Sequence, residues 1–156
     1  MWNELNFGKY KGKTLPQVLF NDPDWFFWAV EKKVFDNKPY AIKNQAKDIL
    51  IKSQNIRIQK PNPKQWKTRY YTDHMTGKFA NMEIVEHDRP AHVGSSLTSE
   101  TKNIDLRMPR KISQYDKTGG KIIIGKLKYY FFGNSSARMT MKRCEDFFDN
   151  EDNFAI

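Results

Sequence analysis

The sequence predicts an α+β protein, in which a small N-terminal module of a hairpin and helices precedes a small antiparallel β-barrel of OB-like type and a short C-terminal helix. Most helical signals lie in residues 1–58, and short β-branched and aromatic runs dominate the part that follows. A proline-containing stretch separates the two patterns. The predicted organisation is therefore a module at 1–58, a linker at 59–66, a β domain at 67–143 and an acidic tail at 144–156.

The N-terminal module begins with a turn that is punctuated by glycines, and two helices follow it. Gly8 and Gly12 mark the turn, for which a short strand or hairpin is expected. Asp22 is a good N-cap and Pro23 suits the first helical position, so the apolar segment "DWFFWAVEKKVF" is predicted to be a buried helix. Pro39 opens the second helix, whose apolar residues recur at helical spacing and whose lysines point elsewhere.

The second half of the chain has the pattern of short strands separated by polar turns. Beyond the linker "QKPNPKQW", the expected strands are "WKTRYYT", "KFANMEIVEH", "KNIDLRM" and "KIIIGKLKYYFF". Four or five short antiparallel strands imply a small barrel or a curled sheet. A short capped helix is expected to start at Ser135 or Ser136, and the last residues, "DNEDNFAI", are expected to be loose.

Charge is the strongest global signal in the sequence. The chain has 27 Lys and Arg against 18 Asp and Glu, a net charge of +9. Residues 144–156 hold five of the acidic residues and no basic one, so residues 1–143 carry all 27 basic residues against 13 acidic ones. A folded body with this surplus attracts polyanions, most commonly DNA or RNA, through a salt-sensitive attraction that is independent of sequence. Composition leaves open the alternative of a protein that is simply basic and well hydrated.

Basic and aromatic residues alternate in several stretches and supply the candidate binding residues. Because alternate residues of a strand share a face, Lys126, Lys128 and Tyr130 are predicted to line one basic face of the last strand. Such a face can hold phosphates and stack exposed bases, whereas in the alternative interpretation the rings belong to the core. The predicted nucleic-acid-binding residues are Lys9, Tyr10, Lys11, Lys13, Lys67, Arg69, Tyr70, Arg107, Arg110, Lys111, Lys126, Lys128 and Tyr130.

The stretch "FGKYKGKTLPQVLFNDPDWFFW" resembles a module from the C-terminal region of exodeoxyribonuclease X-type proteins. The shared pattern is Phe-Gly-Lys-Tyr-Lys-Gly at 7–12, followed by Asp22, Pro23, Trp25 and Trp28 in a helix. The resemblance covers about the first 35 residues and implies an accessory nucleic-acid-binding piece without catalysis. The basic body with its acidic end also has the general character of small phage-encoded DNA-binding proteins.

An enzymatic function has little support in the sequence. The densest group of polar residues, "MEIVEHDRPAH", would put Glu83 and His87 on one face of a strand but Glu86 and Asp88 on the other. A metal-dependent nuclease needs such groups to converge on one ion, so no catalytic residue, metal or cofactor is expected. One cysteine and three scattered histidines also lack the spacing of a zinc site.

No run of about 18 apolar residues is present, and the first residues lack the pattern of a signal peptide, so no membrane association is expected. The single cysteine is typical of a reducing compartment, and the predicted location is the cytoplasm of a bacterial or phage-infected cell, at the nucleoid.

The leading hypothesis is a non-catalytic, largely sequence-nonspecific DNA-binding protein that acts on DNA organisation, transcription or replication. RNA remains open as the ligand, as does the choice between single and double strands. One alternative is an interaction factor or inhibitor that binds an acidic partner protein, and another is a metal-dependent nuclease. The acidic tail is expected either to compete with nucleic acid for the basic face or to recruit a protein partner.

Overall fold

A computed structural model describes residues 1–156 and contains six α-helices and one three-stranded antiparallel sheet. The α+β class predicted from the sequence is therefore confirmed. The elements in chain order are α1 (Leu15–Asn21), α2 (Pro23–Glu31), α3 (Tyr40–Gln54), β1 (Trp66–Asp73), β2 (Phe79–Glu86), β3 (Ser96–Thr101), α4 (Met108–Ser113), α5 (Lys117–Phe132) and α6 (Met141–Asp149), with short 3-10 helices at Pro63–Gln65 and Glu151–Asn153.

The N-terminal segment forms a closed turn in which no strand is present. The Leu5 amide donates a hydrogen bond to the Lys13 carbonyl at 2.8 Å, and the Gly12 amide donates to the Leu5 carbonyl at 2.8 Å. These bonds join the two ends of the turn, much as the rungs of a hairpin would. Gly8 and Gly12 have φ values of 72° and 89°, a backbone region that other residues rarely adopt. The glycine-marked turn is thus present and its glycines are needed for its shape, but the expected short strand or hairpin is not formed.

Three helices follow the turn, where two were expected, because α1 was not predicted. Local signals mark where they begin, and at α1 the Thr14 amide donates to the Gln17 side chain at 3.0 Å. Asp22 accepts a hydrogen bond from the Trp25 amide and Pro23 occupies the first position of α2, as predicted. Phe26 and Phe27 are buried, as expected for a helix that is apolar almost all round. Pro39 precedes α3, which buries an apolar stripe that includes Ile42, Ala46 and Ile49.

The sheet has the strand order β2-β1-β3 and is open, so the predicted barrel and its OB-like variant are not confirmed. One edge of the sheet, along β2, is covered by helices. The Ser113 hydroxyl at the end of α4 accepts a hydrogen bond from the Phe79 amide at 2.9 Å, and the Tyr130 hydroxyl of α5 accepts one from the Ile84 amide at 3.1 Å. Side chains of the two helices therefore occupy positions that a further strand of a barrel would need.

The prediction of a strand at "KIIIGKLKYYFF" is wrong, because these residues belong to the helix α5. Asp116 caps its N-terminus through the Gly119 amide, and Gly133, with φ of 76°, ends it in the left-handed conformation. Ile123, Ile124 and Leu127 are buried on one side, which is the i, i+1, i+4 pattern of a helix. Tertiary packing of this face overrode the high strand propensity of the isoleucine and aromatic residues.

The segment "KNIDLRM" is also not a regular strand. Ile104 makes a single bridge to Ile56, with the Ile56 amide donating to the Ile104 carbonyl at 3.0 Å, and α4 begins soon afterwards. The predicted β domain at 67–143 therefore contains three strands, the two helices α4 and α5, and the first residues of a third helix.

The C-terminal residues are folded, and the expectation of a loose end is wrong. The last helix, α6, starts at Met141 with Thr140 as its N-cap, later than the predicted start at Ser135 or Ser136. Phe154 is 2% exposed and forms an isolated bridge with Ile56. Burial of this ring holds the end of the chain against the region that follows α3.

Both halves of the chain contribute to one hydrophobic core. A single cluster of 28 buried residues includes Leu19 and Phe26 from the N-terminal module together with Tyr70, Leu127 and Phe148 from the second half. The linker predicted at 59–66 therefore does not separate two cores. None of the helices combines the length and the apolar composition needed to cross a membrane.

Candidate nucleic-acid interface

Two lysines that are far apart in the sequence lie next to the same buried carboxylate. The ammonium groups of Lys9, in the N-terminal turn, and Lys117, at the start of α5, each lie 3.7 Å from Oδ2 of Asp22. Asp22 is 3% exposed, and its carboxylate also accepts hydrogen bonds from the Tyr10 hydroxyl and from the Trp25 amide at 3.2 Å. This carboxylate therefore joins the turn, α2 and α5 at one point.

The N-termini of α2 and α5 meet beside this carboxylate because the first turn of α5 contains two glycines, Gly119 and Gly120. A Cβ atom at Gly120 would lie 3.2 Å from Cγ of Pro23, and one at Gly119 would lie 3.0 Å from Cβ of Pro109 and 2.6 Å from Oδ2 of Asp116. Larger residues would push the helices apart. Since the N-terminus of a helix carries a partial positive charge, the meeting of two of them favours negative groups here.

Further lysines continue from this point along α5. Lys117, Lys121 and Lys128 are spaced by four and seven residues, which places them on one side of the helix. Lys128 lines a groove of about 350 Å³ together with Lys13 of the N-terminal turn and with Tyr10. We call the six lysines of the turn and of this side of α5 the lysine cluster: Lys9, Lys11, Lys13, Lys117, Lys121 and Lys128.

Acidic residues do not neutralise the lysine cluster. Only Lys9 and Lys117 have a carboxylate within ion-pairing distance, and both share Asp22. Two further carboxylates lie nearby: Glu145 accepts a hydrogen bond from the Thr14 hydroxyl at 3.0 Å, and Asp116 caps the start of α5. Six ammonium groups against these three carboxylates leave a local positive surplus, which is the electrostatic requirement for holding phosphates.

The structure brings together five of the predicted binding residues, namely Lys9, Tyr10, Lys11, Lys13 and Lys128. Tyr10 has a structural position: its ring is 9% exposed and meets the Trp25 ring edge-on at 5.2 Å. Burial, with Asp22 as a further cause, raises the pKa of the Tyr10 hydroxyl, so the hydroxyl stays a hydrogen-bond donor. Tyr10 therefore positions the lysines of the turn and has little ring surface for a ligand.

The predicted residues on β1 are engaged within the sheet. Arg69 is 2% exposed and donates to Glu100 of β3 at 2.9 Å and to the Pro90 carbonyl at 2.9 Å. Lys67 lies 3.1 Å from the same Glu100. Tyr70 is completely buried, and its hydroxyl accepts a hydrogen bond from the Asp105 amide at 2.9 Å. Tyr70 thus presents no ring face to solvent, and stacking of a base on it is ruled out in this fold.

The predicted basic cluster in "LRMPRKI" lies in and next to α4 and not in a loop. Arg107 pairs with Asp105 at 2.9 Å, and Lys111 is exposed. Arg110 is 7% exposed and pairs with Asp24 at 2.9 Å and with Glu31 at 2.6 Å, both on α2. The hydrogen bond with Glu31 is the main cause that raises the pKa of Arg110, so this guanidinium remains charged while buried.

The expectation that Lys126, Lys128 and Tyr130 share one face is wrong, because they lie on a helix. Lys126 is two residues from Lys128, which turns the two side chains to opposite sides of α5. Tyr130 is directed toward the sheet, where its hydroxyl accepts the hydrogen bond from Ile84, and burial raises its pKa. Only Lys128 of this group joins the lysine cluster.

Lys117 and Lys121 were not predicted as binding residues, because a polar turn followed by the strand "KIIIGKLKYYFF" was expected in this region. The signal was present in the sequence, since an aspartate followed by lysines at positions i+1 and i+5 fits the capped first turns of a helix.

The acidic end contacts the N-terminal module through several side chains. Besides the bond between Glu145 and Thr14, Asp149 accepts a hydrogen bond from the Trp2 indole at 2.9 Å, and Glu151 lies 3.0 Å from the ammonium group of Lys52. These contacts stabilise the fold. Competition of the tail with nucleic acid and recruitment of a protein partner by the tail both stay predictions.

The residues considered for a nuclease do not converge. Glu83 lies directly opposite Arg69 in the sheet, whereas Glu86, His87 and Asp88 line a groove beside Trp66. No group of three or more His, Cys, Asp or Glu side chains is arranged to hold a metal ion.

Comparison with protein-family models, with curated proteins and with solved structures yields no match to this chain.

Proposed function

We propose that this protein is a non-catalytic DNA-binding protein that holds the sugar-phosphate backbone on the lysine cluster, largely without regard to sequence. The observation that carries the proposal is the convergence of lysines from the N-terminal turn and from α5 around Asp22, which Lys9 and Lys117 approach equally at 3.7 Å. Two segments that are about 100 residues apart are held together there by Tyr10 and by the paired helix N-termini.

The chemistry of the cluster favours phosphate binding over the reading of bases. Lysine is a flexible point charge, and contacts of lysine with phosphate position a protein on nucleic acid without carrying sequence information. Neither helix that frames the cluster presents arginine, asparagine or glutamine in a row suited to base edges, since α5 offers lysines, glycines and apolar residues. Affinity is therefore expected to depend steeply on salt and weakly on sequence.

The resemblance of residues 7–28 to the exodeoxyribonuclease X-type module supports the same function. The lysines of its Phe-Gly-Lys-Tyr-Lys-Gly pattern are exposed, while Tyr10, Asp22 and Pro23 form the support beneath them. In this proposal the Phe-Gly-Lys-Tyr-Lys-Gly motif at 7–12 supplies one half of the binding surface, and α5 supplies the other half. A place at the nucleoid of a bacterial or phage-infected cell, with a role in DNA organisation, transcription or replication, is part of the proposal.

The proposal is tested by titrating labelled duplex and single-stranded DNA across about 50 to 200 mM salt. The test variant combines Lys13→Glu, Lys121→Glu and Lys128→Glu. The matched control combines Lys43→Glu, Lys47→Glu and Lys78→Glu, which changes the net charge equally on α3 and in the β1–β2 turn. We expect the test variant to lose at least about tenfold more affinity than the control. The slope of log affinity against log salt concentration should become shallower by roughly 0.7 to 0.9 for each phosphate contact that is lost.

Equal losses in the two variants would contradict a localised site, because they would show that only total charge matters. Absence of DNA binding by the unaltered protein at low salt would favour the alternative of an acidic protein partner. Shortening of the DNA only when magnesium is added would favour the nuclease alternative.

A further inference from the structure

An exposed tyrosine next to the lysine cluster is held face-on by a buried arginine. Tyr115 is 64% exposed, and the guanidinium carbon of Arg110 lies 4.8 Å from the centroid of its ring. This distance lies within the range of a cation–π contact. The arginine covers one face of the ring, and the high exposure of Tyr115 shows that much of the remaining ring surface is open to solvent.

Arg110 is itself fixed in place, which distinguishes this pair from an ordinary surface contact. Its guanidinium donates to Asp24 at 2.9 Å, to Glu31 at 2.6 Å and to the Gln114 carbonyl at 3.3 Å. A planar guanidinium with several bonds in one geometry has little freedom to move. The ring that rests on it is therefore pre-oriented.

The backbone just before Tyr115 is strained. Gln114 has φ of 51° and ψ of −99°, a combination that residues other than glycine rarely adopt. Two hydrogen bonds keep the backbone in this conformation. The Arg110 guanidinium donates to the Gln114 carbonyl on one side, and on the other Asp116 caps α5 by accepting from the Gly119 amide at 2.7 Å. Backbone strain of this kind persists where the surroundings over-determine it, and it is concentrated at functional sites.

Tyr115 is close to the phosphate-binding surface that the proposed function requires. It precedes Lys117 of the lysine cluster by two residues and follows the exposed Lys111 by four. Asp24, which holds Arg110, lies two residues after Asp22, which Lys117 approaches at 3.7 Å. The group of Asp24, Arg110 and Glu31 has one surplus negative charge and Asp116 adds a second, and the two lysines that flank Tyr115 balance both.

We infer that Tyr115 is a stacking platform for an unpaired base of a DNA strand whose phosphates lie on the lysine cluster. This inference rests on the proposed function and refines it by naming single-stranded DNA as the preferred ligand. A fixed phenol ring with open surface can stack on any base, because every base has a π face. In a duplex the faces of the bases are already stacked on each other, so the platform adds affinity only for single strands or for unpaired ends.

The test uses the whole chain and a labelled single strand of roughly 20 nucleotides, the same strand in a duplex, and a strand of equal length without bases. Tyr115→Ala removes the ring, Tyr115→Phe retains it, and Tyr40→Ala removes a ring that is 80% exposed at the start of α3. We expect Tyr115→Ala to lose about 5- to 100-fold in affinity for the normal single strand. Tyr115→Phe and Tyr40→Ala should stay within about twofold of the unaltered protein.

The strand without bases separates stacking from a structural effect, since it retains the phosphates. All of these variants should bind it equally, and the unaltered protein should prefer the normal single strand to the duplex. Unchanged single-strand affinity of Tyr115→Ala, or an equal loss on the strand without bases, would overturn the inference. In either case a loss of affinity in the lysine-cluster variant would leave the proposed function standing. Absence of any DNA binding by the unaltered protein would overturn both.

Discussion

The Tyr10 hydroxyl donates a hydrogen bond to the Asp22 carboxylate, and this contact ties the glycine-bounded turn to the start of α2. Because Asp22 also caps α2 and lies next to Lys9 and Lys117, one buried carboxylate determines how the turn, α2 and α5 meet. The lysine cluster therefore depends on a support that is itself not exposed.

Tyr10→Phe should destabilise the protein by about 1 to 2 kcal/mol, because it removes a buried hydrogen bond to a charged acceptor while keeping the ring. Asp22 would retain the Trp25 amide and the two lysines, so folding itself should persist. Urea unfolding with an unchanged m-value is the measurement. Tyr40→Phe, at an 80% exposed position, is the control, and equal stability of the two variants would show that the Tyr10 bond contributes nothing.

Lys52→Met should destabilise the protein by roughly 1 to 3 kcal/mol. Lys52 is 4% exposed, and its ammonium group donates to the Phe148 carbonyl at 2.8 Å near the end of α6 and pairs with Glu151 at 3.0 Å. Methionine retains most of the packing but leaves that carbonyl without its partner. Thermal or urea unfolding measures the effect, with Lys47→Met at an exposed position of the same helix as the control. A loss no greater than that of the control would contradict this role.

Phe154→Ala should cost about 3 to 5 kcal/mol, the range for removing a fully buried phenylalanine. The ring stacks on Phe148 with centroids 5.7 Å apart, and Phe154 also pairs with Ile56. Ile156→Ala, at a position that is 66% exposed, should change stability by less than about 0.5 kcal/mol. If Phe154→Ala unfolded at the same urea concentration as Ile156→Ala, the C-terminal residues would be loose in solution after all.

Alkylation of Cys144 should be strongly suppressed in the folded protein. Burial, with Glu145 as a smaller cause, raises the pKa of this thiol from 9.0 to about 11, which lowers the thiolate fraction near pH 8 by about 100-fold. The folded protein binds this proton more tightly, so the associated stability is fully present below pH 9.0 and is lost as the pH rises to about 11. Iodoacetamide kinetics in buffer and in urea provide the comparison, and equal rates would contradict burial of the thiol.

Two helices in the first 58 residues, α2 and α3, could be predicted from the sequence because their signals are local, whereas α1 was not predicted. Asp22 and Pro23 define a helix start by hydrogen bonding and by a fixed φ, and the apolar repeat of α3 identifies its buried side. The region of α5 was predicted wrongly, because its Ile, Tyr and Phe residues favour a strand and outweighed the capping signal at Asp116. Contact with β2, α2 and α4 stabilises the helix.

Sequence alone was also insufficient for the candidate site, although it identified the lysines of the N-terminal turn. It assigned Arg69 and Arg110 to the binding surface, since charge is visible in a sequence whereas ion pairing is not, and both prove to be buried next to carboxylates. It missed Tyr115, which becomes distinctive only through its contact with Arg110.

Composition, local capping and short-range periodicity are enough to establish the α+β class, the basic character, two of the three helices that follow the N-terminal turn and the lysines of that turn. Each of these depends on neighbouring residues or on a sum over the chain. The tertiary structure decided which cations remain free and which support the fold. It did so because burial and long-range ion pairs, such as those of Arg110 with α2 and of Lys52 with the C-terminal residues, exist only once distant segments have met.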